Sequence, residues 1–261
     1  MQAILVVTLP FFALVLCGYL AARQRLLPEA AIPGLNAYVL YFALPCMLFR
    51  FGAIAEGTAL SKGVRMAMSG RIKVGLWLPF TADQTTDGRS FTWRARVGRG
   101  ALTPLRVTDH YADSIGRSEG RLLGHLTLFC ADDANTARSA ATRAAIESVV
   151  FAPVSVLPGS GVTWRAETDS AIVACFNLPP EHPEVRLRID QHGAIQTVSA
   201  LRWGNVGEKT FQYIPFGGHA HTERRFGDLV LANTLSVGWW FDTLRFAPFF
   251  HAEISSVTPT F

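Results

Sequence analysis

Two imidazoles and a carboxylate stand at alternate positions in "GGHAHTERR", residues 217–225, as His219, His221 and Glu223. Residues two apart on a strand point to one face, so the three form a row that could ligate a metal ion. Zinc needs three or four ligands in tetrahedral reach, and a further ligand would have to come from Asp109 or His110, remote in the chain. With Arg94 or Asp109 opposite it, the row supports an alternative reading as a metal-dependent enzyme. A solvated or hydrogen-bonded strand face is the plainer reading.

Other reactive patterns are weaker. Asp109 and His110 are adjacent, and adjacent strand residues face opposite sides, so they form no direct acid–base dyad. Ser160 in "LPGSGVTW" precedes a strand, whereas a nucleophile elbow leads from strand to helix. Gly217-Gly218 could admit a ligand against the backbone, but such a pair beside a strand marks a bulge or bend. No catalytic residue is assigned, and no cofactor is called for.

Aromatic side chains are the richest feature, with six Trp and eighteen Phe. A sheet protein uses many of them as core, while a cavity walled by several would suit a flat or acyl ligand. Trp93, Trp203, Trp239 and Phe216 are the expected ligand-binding set.

Such residues need strands to hold them. From Ser69 onward, short β-like stretches alternate with turn signals. "SFTWRARVG" sets Phe91, Trp93, Ala95 and Val97 on one face against Thr92, Arg94 and Arg96 on the other. "RIKVGLWLPF" reads as one strand before a turn at 85–88, and "LRVTDHYAD" with "GRLLGHLTLF" as a hairpin around Gly116. Further strands meet at "TDS", residues 168–170, and at Gln191-His192-Gly193, where Asp, Ser and Gly suit chain reversal. The tail adds "KTFQYIPF", "HTERRF", "LVLANTLSVGWW" and "FFHAEISSV". The expected fold is mainly β: a large curved antiparallel sheet or incomplete β-barrel of about ten strands over residues 69–261, after a linker at 54–68.

One helix interrupts the strands. "DDANTARSAATRAAIESVV", residues 132–150, opens on Asp132 and Asp133, good capping residues, and is rich in Ala. Arg143 and Glu147 stand four apart, and Pro153 and Pro158 follow. Lying in or across the mouth of the curved sheet is its simplest place.

The N-terminal stretch differs in kind. Residues 1–22 and 30–49 contain no charged side chain, and each run is long enough for a helix to cross the ~30 Å hydrocarbon layer. "ARQRLLPEA" between them turns the chain, so residues 1–53 are expected to form a two-helix transmembrane hairpin. The net charge of +4 on 261 residues is modest and scattered, which argues against nucleic acid, and the four cysteines form no close pair. The lipid bilayer is an expected partner, and the oligomeric state is left open.

Residues 1–53 resemble the first two helices of the auxin efflux carrier family of bacterial permeases, through Pro10-Phe11-Phe12, Gly18-Tyr19-Leu20, Asn36 and Ala43-Leu44-Pro45. The resemblance implies an inner-membrane location and puts the downstream domain outside, whereas the count of Arg and Lys flanking the spans puts it in the cytoplasm. Secondary carriers build their site from both halves of a repeat, so two spans imply no competent transport. The stretch from about residue 60 onward resembles a bacterial domain family of unknown function, through "RMAMSGRIKVGLWLPFTADQ", "VTDHYADSIGRSEGRLLG" and "YIPFGGHAHTERRFGDLVLANTLSVGWW". Its element order is similar to the lipoprotein-carrier class, a curved sheet around helices with an apolar cavity. The resulting expectation is a membrane-tethered β domain binding an apolar small molecule or lipid, its opening helices acquired by gene fusion.

Overall fold

The computed structural model describes residues 63–99, 102–157 and 160–260, with no side-chain description at 99 or 102–104. They all belong to the second of the chain's two units, Gly57–Phe261. The expected hairpin over 1–53 lies outside the described residues. Among those that are described, no helix is long and apolar enough to cross a membrane.

Thirteen strands of the described residues form one antiparallel sheet. The first six are β1 (Gly63–Val74), β2 (Leu76–Thr86), β3 (Phe91–Arg99), β4 (Leu102–Ala112), β5 (Ile115–Leu122) and β6 (Leu126–Ala131). Then come helix α1 (Ala134–Phe151) and a 3-10 turn at Pro153–Val156. The remainder are β7 (Thr163–Thr168), β8 (Ala171–Cys175), β9 (Glu184–Ile189), β10 (Ile195–Gly204), β11 (Gln212–Phe226), β12 (Leu229–Trp239) and β13 (Ala247–Thr260). Each strand pairs with its sequence neighbour, and the two meanders join where β1 pairs with β13, from Gly63 opposite Thr260 to Ile72 opposite Phe250. Among the described residues the edges of the sheet are β6 and β7, the two strands that α1 connects.

That connection makes the sheet curve. Helix α1 packs on β5 and on β10, eight strand spacings apart, which on a flat sheet would be about 38 Å. Gly116 of β5 meets the helix at Ala137 and Arg202 of β10 meets it at Ser139, two residues apart, and both strands can reach that one point only if the sheet wraps around the helix. The result is an incomplete barrel with the helix inside its curve.

Strand alternation follows the sequence closely. Phe91, Trp93, Ala95 and Val97 of β3 are buried while Arg94 and Arg96 are exposed. Each large apolar side chain so placed contributes about 1.5–3 kcal/mol. The helix is also as expected: Asp133 caps it, accepting from the Thr136 N–H at 2.8 Å, and it ends before Pro153.

The strand count differs from the expected ten for a local reason. The run 71–80 is two strands, because Gly75 at φ +73° turns the chain between Val74 and Leu76. The hairpin placed around Gly116 instead turns at Asp113-Ser114, both at positive φ, and a second turn at Leu123-Gly124 separates β5 from β6. "KTFQYIPF" and "HTERRF" are parts of one strand, β11, so Gly217 and Gly218 lie inside a continuous ladder with β10 and are not a bulge there. They suit close packing: a Cβ on Gly218 would stand 2.4 Å from the Ser236 carbonyl oxygen.

Candidate functional site: a cavity between the sheet and the helix

An apolar cavity of about 230 Å³ lies between α1 and the inner face of the sheet. Its walls include Met68 and Ile72 of β1, Val150 of α1, Val237 of β12, and Phe249 and Phe250 of β13. Met68, Ile72, Val237 and Phe250 share one face by strand alternation, and the adjacent Phe249 joins them at a register shift, where Val237 pairs with Phe250 but Gly238 with Pro248. Trp93 and Phe216 line it from opposite halves of the sheet. Trp93 packs edge-on against Phe80 and Phe250, and no acceptor among the described residues takes up its buried indole N–H.

One end of the cavity is polar. Arg143 of α1 donates from Nη1 to Asp109 Oδ2 at 2.5 Å and from Nε to Glu147 Oε1 at 2.7 Å. Gln84 donates to the other Glu147 oxygen at 2.6 Å, and Ser118 to the other Asp109 oxygen at 2.6 Å. Burial alone would lower the Arg143 guanidinium, but Glu147 and Asp109 more than offset it and hold the group above its ordinary range. The cluster pins the helix to β2, β4 and β5.

Arg202 of β10 completes this end in a different way. Its Nε donates to the Ser139 carbonyl and hydroxyl oxygens, both at 3.1 Å, and its guanidinium lies over Phe216 and Trp239 at 4.5 and 5.1 Å. Among the described residues no carboxylate oxygen lies within ion-pair distance of it, whereas Arg143 has two. Burial first, and then the neighbouring Arg143, pull its pKa down to about 10, so it remains a cation at neutral pH.

Asp109, Ser118, Arg143 and Arg202 also line a second, more polar cleft, which places them at the neck between cleft and cavity. Trp203 and Trp239 belong to this cleft. Trp203 is fixed by its Nε1 donating to Asn135 at 2.9 Å and by the Arg138 guanidinium, 3.5 Å from its ring centre. Of the four expected ligand-binding residues, Trp93 and Phe216 therefore share the inner cavity, and Trp203 and Trp239 stand outside its neck.

The histidine row faces elsewhere. Phe216 and Gly218 point into the cavity, so His219 points out, where it packs on Phe241 and Phe246. His221 sits at a register shift in β11, with its ring 6.3 Å from that of His219 and its Nε2 2.9 Å from Ser236 Oγ. Glu223 is exposed beyond a second shift. Asp109 lies on the inner face with Arg143, so the sheet separates it from the row, and Arg94 is exposed on β3. His110 bonds Thr92 Oγ1 through Nδ1 at 2.9 Å. Among the described residues no three of His, Cys, Asp or Glu gather closely enough to hold a metal ion.

Sequence reasoning did not single out Arg202, Gln84 or Ser118. A signal was present: Arg202 shares strand parity with buried Val198 and Ala200, and Gln84 with buried Phe80 and Ala82. A polar or charged residue on a core-facing parity is the informative exception in an alternating strand.

Comparison with known proteins agrees with both sequence resemblances. A family described as "Membrane transport protein" matches residues 3–69. No curated protein matches the chain. Among solved structures, a LolA superfamily protein from Nitrosomonas europaea is 5% identical, with a TM-score of 0.45 over 82% of this chain and 93% of that one. A putative outer membrane lipoprotein-sorting protein domain from Vibrio parahaemolyticus is 8% identical, with a TM-score of 0.43 over 82% and 91%. A DUF1329 family protein from Desulfovibrio piger is 10% identical, with a TM-score of 0.38 over 82% and 90%. A match over residues 43–258, most of the chain and nearly all of its sheet, places this protein in the family of unknown function DUF6920.

Proposed function

We propose that the β domain binds an apolar or lipid-like molecule in the cavity beneath α1, and that the carrier-like segment ahead of it tethers the domain to a membrane without transporting anything itself. The carrying observation is the cavity: a space of about 230 Å³ walled by Met68, Ile72, Val150, Phe249 and Phe250 and closed at one end by charged groups. Apolar pockets with a few placed polar groups are the usual form of small-ligand sites. The volume far exceeds the roughly 10–15 Å³ that holds a single water, so it has room for a chain of moderate length. The tether rests on the match over residues 3–69 and on the two uncharged runs within it, which suit two spans of a bacterial inner membrane. The matches over 3–69 and 43–258 overlap at 43–69 and cover different parts of the chain on either side, which suits an origin by fusion of a carrier fragment to a separate domain.

The test uses the full chain in lipid nanodiscs with N-phenyl-1-naphthylamine, which fluoresces in apolar surroundings. The expected result is emission above that of empty discs, reduced in Val237→Phe and in Val107→Phe, two lining positions where the larger ring takes up part of the cavity, while circular dichroism stays native. Emission equal to that of empty discs ends the reading.

A further inference from the structure

The neck of the cavity holds a cation whose bonding capacity is unused. The charge of Arg143 is paired with two carboxylates, but Arg202 makes its hydrogen bonds through Nε alone, to neutral oxygens of Ser139. Stacking on Phe216 and Trp239 holds the guanidinium plane in place. Its two terminal nitrogens, four N–H donors in a planar fork, have no acceptor among the described residues. Such a fork matches the paired oxygens of a carboxylate or phosphate.

The position of Arg202 is as informative as its chemistry. It lines both the apolar cavity and the outer cleft, so a head group held there would send an attached chain inward, past Phe216 toward Val237. The cleft is lined by Arg117, Arg143 and Arg202 against the single carboxylate of Asp109. With the ion-pair partners behind them, Glu119, Arg121 and Glu147, four guanidiniums meet three carboxylates. An arriving anion completes that balance and meets a cation already stripped of much of its water, where an ion pair is stronger than at the surface.

We propose that the ligand is a single-chain amphiphile with an anionic head, its carboxylate or phosphate oxygens on Arg202 at the neck and its tail in the cavity. The assignment rests on the reading of that cavity as an apolar-ligand site and adds the head-group class. Trp93, whose N–H lacks an acceptor among the described residues, lies on the tail side, so a head group at the neck leaves selection to Arg202.

The test is photolabelling of the full chain in zwitterionic nanodiscs with decanoate carrying a mid-chain diazirine, against the alcohol of the same skeleton. Labelled peptides are identified by mass spectrometry. The acid is expected to reach half-maximal labelling of β12 and β13 peptides at roughly ten- to a hundredfold lower concentration than the alcohol, the range of a charge-assisted hydrogen-bonded pair. Arg202→Met should abolish that difference and leave labelling by the alcohol in place, and Arg202→Lys should retain part of it. Competition by octanoate against octyl phosphate then tells a carboxylate head from a phosphate head. Equal labelling by acid and alcohol in the unaltered chain overturns the anionic assignment while leaving an apolar site. Absence of cavity labelling by both probes overturns the assignment together with the reading beneath it. The acid–alcohol comparison needs no variant, so it decides the matter even if Arg202→Met does not fold.

Discussion

Gly116 of β5 stands against the backbone of Ala137 in α1 so closely that a Cβ on the glycine would lie 2.6 Å from the Ala137 Cα and 2.8 Å from the Thr136 carbonyl oxygen. Both obstacles are backbone, so no side-chain rotation relieves the clash. The sheet half β1–β6 meets the helix through this contact, and the helix is the roof of the cavity. Gly116→Ala is expected to destabilise the domain by about 2 kcal/mol, within the range for overpacking. Urea unfolding should show a lower midpoint with an unchanged slope. The same variant should weaken naphthylamine emission, because a displaced helix changes the cavity.

The Arg143 cluster is another fastening, and its members depend on one another. Arg143 and its partners Asp109 and Glu147 are 17%, 21% and 14% exposed, so removing the cation strands two carboxylates in a largely dry setting. Arg143→Met should cost about 3 kcal/mol, toward the low end for a buried pair broken from one side. Adding Asp109→Asn should restore part of that loss, giving a coupling energy of opposite sign to the single losses. Chemical denaturation of the two singles and the double measures it.

Much of the sheet was legible because strand alternation is local. Phe91, Trp93, Ala95 and Val97 fall on one face by their spacing alone, and the alanine-rich helix with its Asp133 cap follows from residue type and order. Turns were harder, because glycine answers two different needs. At Gly75 it supplies a positive φ and reverses the chain, whereas at Gly116 it supplies the missing Cβ that lets a helix approach. The true reversal beside Gly116 uses Asp113 and Ser114, residues that tolerate positive φ less readily. The cavity was half legible: aromatic content pointed to Trp93 and Phe216, but the partition of Trp203 and Trp239 into an outer cleft depends on how far the sheet curls. Arg202 escaped notice because its meaning comes from Arg143, fifty-nine positions earlier, which claims both carboxylates.

The turn between β5 and β6 carries avoidable strain. Leu123 has φ +53°, a region that disfavours a bulky side chain, and its side chain is exposed, so packing does not compensate. With Gly124 at φ +79°, both central residues of the turn that the His125 N–H closes onto the Leu122 carbonyl at 3.2 Å have positive φ, a backbone that Asn-Gly fills best. Leu123→Asn should therefore stabilise the protein by about 0.5–1 kcal/mol, within the scale of backbone-matched substitutions. Thermal unfolding should shift upward, and an unchanged or lower midpoint would refute the strain argument.

The helix cap predicts how the domain responds to acid. Asp133 Oδ1 accepts from both the backbone N–H and the hydroxyl of Thr136 at 2.8 Å, and the backbone bond chiefly holds its carboxyl below the usual carboxylate range. A folded pKa depressed below the unfolded one means that the charged form is the stabilising one. Its contribution is present above the unfolded value, near 4, and is lost as pH falls from there through the folded value. Asp133→Ala should remove about 1 kcal/mol at neutral pH, as capping substitutions do, and the gap to the unaltered protein should narrow below about pH 4. Asp133→Asn caps without titrating, so it should match the unaltered protein more closely at neutral pH and lose less on acidification. Thermal melts of the three proteins at neutral and acid pH distinguish a charge effect from a purely geometric one: a gap between Asp133→Ala and the unaltered chain that stays constant with pH would assign the cap to geometry alone.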